Sequence, residues 1–366
     1  MSTPQTPAPV PVEQSWDVEA FRAAVQGVLD DFLDEQEGRL AGLGPDAARL
    51  LAEARTALTG GKRLRAAFCW WGHRAVDPEV RDEPSLLRAC AALELLQASA
   101  LVHDDLMDAS DTRRGRPATH KAFEGEHRAV GWPGNSEQYG AAAAILLGDL
   151  LLAWADELLR RCGLPADRVS RALEIFDLCR TEVIVGQFLD VSVQARGRAD
   201  VDTAMTVLRY KSAKYSIERP LHVGAALAGA DEATLEALSA FGLPLGEAFQ
   251  LRDDLLGVFG DPSTTGKPAG DDLVEGKRTV LVALTLDRAQ APEAAELDAA
   301  LGSALDDERV ARLRALIDGT GARDEVEAMI TALTSRAEAA LDAGGFDPGA
   351  AAVLHSLAAA ATQRKV

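Results

Sequence analysis

The chain has 366 residues, of which 47% are hydrophobic and only 5% are aromatic. It carries 57 acidic and 38 basic residues, which gives a formal net charge of −19. This balance excludes an extended basic face, so we expect no nucleic-acid partner. No uninterrupted run of 18 apolar residues occurs, so we expect no transmembrane segment.

The beginning of the chain differs in composition from the rest. Residues 1–15 are rich in proline and lack the basic and apolar regions of a signal peptide. We therefore expect a disordered Pro-rich tail over 1–15, followed by one domain over 16–366. The four cysteines show no C-x-x-C spacing, which indicates free thiols and a cytoplasmic location (Cys69, Cys90, Cys162 and Cys179).

Apolar residues recur at helical spacing from Val18 onwards, and no convincing strand alternation is visible. The abundance of Ala and Leu favours closely packed helices and hence an all-α fold. The breaks fall where Gly and Pro gather, and the stretch 260–276 should be a mobile loop over a site. Besides a first stripe from Phe21 to Phe32 and another near 87–97, the pattern predicts helices at about 140–160, 167–195, 202–228, 231–259, 277–290 and 307–342.

Two aspartate clusters stand about 150 residues apart, in the sequences LVHDDLMD (101–108) and FQLRDDLL (249–256). Asp104 and Asp108 are four residues apart, so on a helix they project from one face. Burying such carboxylates without compensation is expensive. Oxygen-rich sites that recruit substrate phosphates are how proteins usually hold Mg²⁺. Two clusters that face each other would therefore clamp a diphosphate between them.

The basic residues gather in short runs, although they are the minority charge. The runs are GGKRLR at 60–65, RRGR at 113–116, Lys211 with Lys214, GKP at 266–268 and GKRT at 276–279. An acidic protein that places guanidinium and ammonium groups beside carboxylates is expected to bind a polyanion through both metal and cationic contacts.

These motifs resemble, in order and type, those of the trans-isoprenyl diphosphate synthases of the polyprenyl synthetase family. DDLMD at 104–108, followed by RRG, resembles the first aspartate-rich motif of the family, and QLRDD at 250–254 resembles the second. GQFLD at 186–190 and KS at 211–212 also follow the family order. The resemblance extends over about residues 20–360. It implies a single large helical bundle of the isoprenoid synthase type, with a central cavity and the two aspartate walls near its mouth.

The resemblance also implies a set of ligand-binding residues. It implies three Mg²⁺ ions, with Asp104, Asp108 and Asp253 as metal ligands and with Asp105 and Asp254 in support. The second cluster departs from the family, because Gly257 stands where a third aspartate is common. Isopentenyl diphosphate would be held by Lys62, Arg65, Gln97 and Arg114. The allylic diphosphate would contact Arg113, Lys211 and Lys267, with Ser212, Gln187, Asp190 and Gln250 in supporting or cation-stabilising positions.

The implied reaction joins an allylic diphosphate to isopentenyl diphosphate, and the implied assembly is a homodimer. Ser99 and Ala100 stand where short-chain enzymes often carry bulky aromatics, so a growing tail has room to pass. Geranylgeranyl diphosphate is the expected product, with farnesyl and C25-or-longer products as alternatives. A class I terpene cyclase and a non-catalytic subunit of a synthase are the alternatives from other classes.

Overall fold

A computed structural model describes residues 16–198, 200–260 and 270–363. The described residues are 81% helical with almost no strands, which confirms the expected fold class. The expected tail at 1–15, most of the expected loop and Lys267 lie outside the described residues. The helices before the second aspartate cluster are α1 (Val18–Leu40), α2 (Pro45–Leu58), α3 (Leu64–Arg74), α4 (Glu83–Met107), α5 (Thr119–Val130), α6 (Ser136–Arg160), α7 (Ala166–Arg196), α8 (Val201–Leu208) and α9 (Arg219–Ala228).

The described residues also contain two short helical elements and, from the helix that bears the second aspartate cluster onwards, seven further helices. A short 3₁₀ turn (Ala41–Leu43) lies between α1 and α2, and a π-helix (Arg209–Glu218) joins α8 to α9. The remaining helices are α10 (Glu232–Phe259), α11 (Asp271–Val274), α12 (Val280–Arg288), α13 (Ala291–Ala300), α14 (Asp307–Gly319), α15 (Ala322–Ala343) and α16 (Pro348–Thr362).

Local sequence explains where most of these helices begin and end. Side chains of Asp17, Asp82 and Asn135 accept backbone N–H groups at the first turns of α1, α4 and α6, as N-cap residues do. Gly321, at φ 71°, separates α14 from α15, because an L-residue rarely adopts this conformation. The expectation of one continuous helix over 307–342 is therefore wrong.

A small hairpin follows the first aspartate cluster. Strand β1 (Thr112–Arg113) pairs antiparallel with β2 (Arg116–Pro117). Arg114 and Gly115 both have positive φ, as a tight two-residue hairpin turn requires. The strand pattern was not visible in the sequence, because two residues are too few to show an alternation. The hairpin turns the chain back at the end of α4 and brings Arg113 beside the aspartates.

The bundle is built around α4 and α10, the two helices that carry the aspartates. Helix α4 packs against α3 and α6, and α10 packs against the π-helix and α15. Two buried apolar clusters result, one mainly among α1–α4, α6, α7 and α9 together with α16, and one among α8 and α10–α15. Helix α10 contributes to both. Of the described helices, α4 is also long and apolar enough to cross a membrane, but 78% of its most apolar window is buried in the protein.

Candidate active site

A cavity of about 1360 Å³ lies between α4, α7, the π-helix and α10. Both aspartate clusters contribute to its lining, as the sequence predicted. The predicted site residues that line it are Lys62, Arg65, Gln97, Ala100, Asp104, Arg113, Gln187, Asp190, Lys211, Ser212, Gln250, Asp253 and Asp254. These positions are separated by up to 192 positions in the sequence, so the fold alone brings them together.

Asp104 is the centre of the first acidic wall. Its Oδ1 accepts a hydrogen bond from Nε2 of Gln187 at 2.9 Å and lies 3.3 Å from Nζ of Lys211. Nζ of Lys211 also donates a hydrogen bond to Oδ2 of Asp190 at 2.6 Å. Burial works to raise the pKa of Asp104, but the nearby cations, Lys211 first, outweigh it and bring the pKa below its ordinary value. The carboxylate is therefore charged before any ligand arrives.

Asp105 faces away from the cavity and anchors an arginine. Its side chain is buried and accepts a hydrogen bond from Nε of Arg113 at 2.9 Å. Arg113 in turn lies 3.9 Å from Asp104 and lines the cavity. The structure thus places Asp105, which the resemblance implied as a supporting metal ligand, behind Arg113 and off the cavity wall.

Asp108 caps the end of α4 and lies beside a lysine that the sequence left without a role. Its Oδ2 is 3.7 Å from Nζ of Lys277, and it is not part of the cavity lining. Burial and the charge of Asp104 raise the pKa of Asp108 to about 6. Lys277 lines the cavity and also lies 3.5 Å from Asp272. The GKRT run at 276–279 was the signal that could have identified it.

The second acidic wall lies on α10. Asp253 and Asp254 both line the cavity, and Gln250 donates from Nε2 to Oδ1 of Asp254 at 2.8 Å. Burial and the charge of Asp272 raise the pKa of Asp254 to about 8. A Cβ at Gly257 would lie only 2.0 Å from Oδ2 of Asp272. The carboxylate of Asp272, from α11, therefore occupies the space beside Gly257 where the common third aspartate would begin.

The donor set fits a hard divalent cation that is held together with a ligand. Within the described ranges, no group of three or more His, Cys, Asp or Glu side chains is arranged to hold a metal by itself. Carboxylates of α4 and α10 nevertheless line the same cavity, and burial together with the charge of Asp272 raises the pKa of Asp254, so a cation bound beside it would be stabilising. Mg²⁺ commonly takes one or two carboxylates and completes its shell with waters and phosphate oxygens.

The basic end of the cavity is formed by the residues after α2. Lys62 and Arg65 line it together with Gln97, which accepts a hydrogen bond from the hydroxyl of Tyr215 at 2.6 Å. Arg114 is exposed, donates to the backbone carbonyl of Thr59 at 3.0 Å and does not belong to the lining. The structure therefore brings together three of the four residues that the resemblance implied for isopentenyl diphosphate.

The apolar side of the cavity differs from the expectation at one position. Ala100 lines the cavity, but Ser99 is buried against α6, where its hydroxyl donates to the carbonyl of Gly148 at 2.7 Å. The structure does not place Ser99 on the wall. The apolar lining continues through Leu101, Ile145, Val183, Ile184, Phe188 and Val191.

Comparison with known proteins identifies the family. The polyprenyl synthetase family model matches residues 48–318. The chain belongs to this family. It is 43% identical to geranylgeranyl pyrophosphate synthase of Corynebacterium glutamicum, whose crystal structure holds isoprenyl diphosphate and magnesium. That alignment has a TM-score of 0.92 and covers 95% of this chain and 100% of that one.

Relatives of the chain carry the names of different product lengths. The chain is 34% identical to geranylfarnesyl diphosphate synthase of Natronomonas pharaonis, over 70% of this chain and 74% of the relative. It is 36% identical to geranylgeranyl diphosphate synthase of Sulfolobus acidocaldarius, over 67% and 69%. The protein is thus an enzyme of the trans-polyprenyl diphosphate synthase class, a prenyltransferase.

Proposed function

We propose that the protein condenses isopentenyl diphosphate with allylic diphosphates, in the presence of Mg²⁺, and that its main product is geranylgeranyl diphosphate. The observation that carries the proposal is that one cavity is lined both by aspartates of α4 and α10 and by the cationic side chains Lys62 and Arg65. The carboxylates can bind one diphosphate through metal ions, and the cationic side chains can bind a second diphosphate directly.

Each part of the cavity has a separate task in the reaction. Mg²⁺, three ions by the family resemblance, would be held by Asp104 and Asp253 and would stabilise the charge on the departing diphosphate. Lys211 and Arg113 add positive charge at the first wall. The allylic C–O bond breaks and releases diphosphate, the double bond of isopentenyl diphosphate attacks the allylic carbon, and the adduct loses a proton to the released diphosphate. Apolar lining excludes water, which would otherwise trap the allylic cation.

The chain-length proposal has two supports. Ala100, which lines the cavity in the turn before Asp104, takes little volume there. The relative with 43% identity is named for the C20 product. A C25 product is the second candidate, because the Natronomonas pharaonis relative is a geranylfarnesyl diphosphate synthase.

We infer that the enzyme is a homodimer and acts in the cytoplasm. Helices α6 and α7 expose large apolar side chains on their outer faces, which single soluble chains rarely do over a contiguous patch. Ile184 and Phe188 are 55% and 68% exposed and also line the cavity, so a second copy on this face would cover one side of the site. The four buried free thiols suit a reducing compartment.

The test is incubation of the purified protein with Mg²⁺, isopentenyl diphosphate and one allylic primer at a time. We expect condensation with geranylgeranyl diphosphate as the longest abundant product. A product of the allylic diphosphate alone, such as a cyclic hydrocarbon, would show a terpene cyclase instead. No turnover of either substrate would show a non-catalytic subunit.

A further inference from the structure

The π-helix is an unusual element at the centre of the cavity. It spans ten residues, Arg209–Glu218, although π-helical segments are rare, are usually one turn long and often occur at functional sites. Its wider backbone packs between α7 and α10, and each of these helices has a glycine at the contact. A Cβ at Gly186 would lie 2.4 Å from the backbone nitrogen of Lys211, and one at Gly246 would lie 2.5 Å from the carbonyl oxygen of Ala213.

The outer side of the π-helix is fixed by charge. Glu182 on α7 accepts from Nζ of Lys214 at 2.7 Å and from Nε of Arg219 at 2.7 Å. All three side chains are largely buried, so these bonds are poorly screened by water. The segment is therefore held between α7 and α10 by close backbone contact with both helices and by ion pairs with Glu182 of α7.

The inner side of the π-helix reaches both diphosphate regions at once. Lys211, Ser212, Tyr215 and Ser216 all line the cavity. Lys211 lies beside Asp104 in the first acidic wall. Tyr215 and Ser216, one turn later, lie beside Arg65 at the basic end. One rigid segment thus fixes the relative positions of groups at two subsites.

Arg65 is held by neutral partners. Its Nη2 donates to the hydroxyl of Ser216 at 2.6 Å, and its guanidinium lies 4.0 Å from the centre of the Tyr215 ring. Nε of Arg65 is buried and has no hydrogen-bond partner among the residues that the structure describes. A guanidinium has five N–H donors, so this arrangement leaves donors for an anion in the cavity.

The neighbouring Arg63 shows the contrasting arrangement. It is buried, forms an ion pair with Glu94 at 3.2 Å and donates to Gln26. A carboxylate partner satisfies an arginine and cancels its charge, as a structural role requires. A serine hydroxyl and an aromatic face orient Arg65 and leave its charge for the ligand.

We propose that Ser216 and Tyr215 are positioning residues that hold Arg65 for the diphosphate of isopentenyl diphosphate. The proposal rests on the proposed function, because it assigns Arg65 to that substrate. It adds that the hydroxyl of Ser216 acts only through Arg65. Removal of this hydroxyl should therefore weaken one substrate selectively and should have no effect once Arg65 is absent.

The test is a double-mutant cycle of Ser216→Ala and Arg65→Ala, with steady-state kinetics for each substrate. We expect Ser216→Ala to raise KM for isopentenyl diphosphate about tenfold, the size of one hydrogen bond to a charged group. KM for the allylic diphosphate, kcat and the melting temperature should stay near wild type. In the Arg65→Ala background, Ser216→Ala should change KM less than twofold.

Thr206→Ala is the matched control. Thr206 is exposed on α8, in the same continuous helical stretch, and its hydroxyl bonds only to the backbone carbonyl of Asp202 among the contacts of the described residues. This variant should behave as wild type. Tyr215→Phe keeps the ring under Arg65, so it should raise KM for isopentenyl diphosphate less than Tyr215→Leu does.

Three results would overturn the proposal. They are an unchanged KM for isopentenyl diphosphate in Ser216→Ala, an equal rise of KM for both substrates, and a further tenfold rise of KM for isopentenyl diphosphate when Ser216→Ala is added to Arg65→Ala. The last would mean that Ser216 contacts substrate itself. If wild-type protein condenses the two substrates, the proposed function stands whatever Ser216→Ala does; if it does not, both fail together.

Discussion

The two acidic walls of the cavity differ in how their charge is balanced. In the first wall, Asp104 has Lys211 at 3.3 Å and Gln187 at 2.9 Å, and nearby cations bring its pKa below the ordinary value. In the second wall, Asp254 accepts from a neutral glutamine, and burial and Asp272 raise its pKa to about 8. Nearby cations thus outweigh burial at Asp104 in the first wall, whereas Lys277, which lies 3.5 Å from Asp272, does not outweigh burial at Asp254 in the second.

This difference in charge balance indicates that the two walls bind the diphosphate in different ways. The first wall combines carboxylate with ammonium and guanidinium groups, so it offers both a metal ligand and direct phosphate contacts. The second wall offers mainly carboxylate oxygens, so it can bind an anionic diphosphate only through cations. Metal should therefore matter to both walls but should be the sole link between the second wall and the substrate.

The largest expected effect comes from removing the leading aspartate of either wall. Asp104→Ala and Asp253→Ala should each lower turnover by about three orders of magnitude or more, because neither wall alone holds the metal–diphosphate complex. The melting temperature should change little for Asp253→Ala, because that side chain lines the cavity. It should fall by a few degrees for Asp104→Ala, because Lys211 loses a charged partner. EDTA should abolish wild-type turnover in the same way. Full turnover without divalent metal would contradict this account.

A substitution at the basic end should leave binding of the allylic diphosphate at the two acidic walls unchanged. Arg65→Ala or Lys62→Ala should raise KM for isopentenyl diphosphate by about 10–150-fold, which corresponds to about 1.5–3 kcal/mol for a charge-assisted contact. KM for the allylic diphosphate should stay nearly constant, because the acidic walls are intact. Steady-state kinetics with each substrate varied in turn provide the check. Equal weakening toward both substrates would show that the two ends are not separate subsites.

A pair of neighbouring substitutions tests the apolar part of α4 below the first wall. Ala100→Phe places a ring in the cavity and should shorten the main product to farnesyl diphosphate. Ser99→Phe forces a ring between α4 and α6 and should lower the free energy of unfolding by about 1–3 kcal/mol, with the product length kept. Product chromatography and thermal unfolding distinguish them. Shortening by Ser99→Phe alone would place the tail on the other side of α4.

The smallest expected effect is on stability. Two substitutions in metal-free protein at pH 7 compare the two walls through the free energy of unfolding. Asp254, with a pKa of about 8, is mostly protonated there, so Asp254→Asn exchanges one neutral group for another. Its free energy of unfolding should stay within about 0.5 kcal/mol of wild type. Asp104→Asn leaves Lys211 with one charged partner fewer and should cost about 1–3 kcal/mol. The reverse order of stabilities would refute the asymmetry.

Much of the fold and site could be predicted from the sequence because the signals are local. Helical spacing and Gly/Pro breaks identified α7 and α10 to within one residue at each end and α6 to within four, and the motifs named many of the polar side chains that line the cavity. The 307–342 region was predicted as one helix because a single glycine at 321 is a weak break signal in an otherwise periodic stretch.

The remaining features depend on tertiary packing. Which of Ser99 and Ala100 faces the cavity depends on the rotation of α4 against α6, and adjacent residues on a helix point about 100° apart. The π-helix leaves no mark in hydrophobic spacing, so the pairing of Ser216 with Arg65 could not be foreseen. Lys277 carried a motif signal, but its position between Asp108 and Asp272 depends on how α11 folds back over α10.

The central claim is that metal ions link a diphosphate to both acidic walls, and that the second wall has no other link to it. The most direct measurement is the anomalous difference map of a crystal grown with Mn²⁺ and inorganic diphosphate. The account predicts manganese peaks at Asp104 and at Asp253, with diphosphate oxygens bound to both sets of ions. Diphosphate bound by Lys211 and Arg113 with no metal at Asp253 would contradict it.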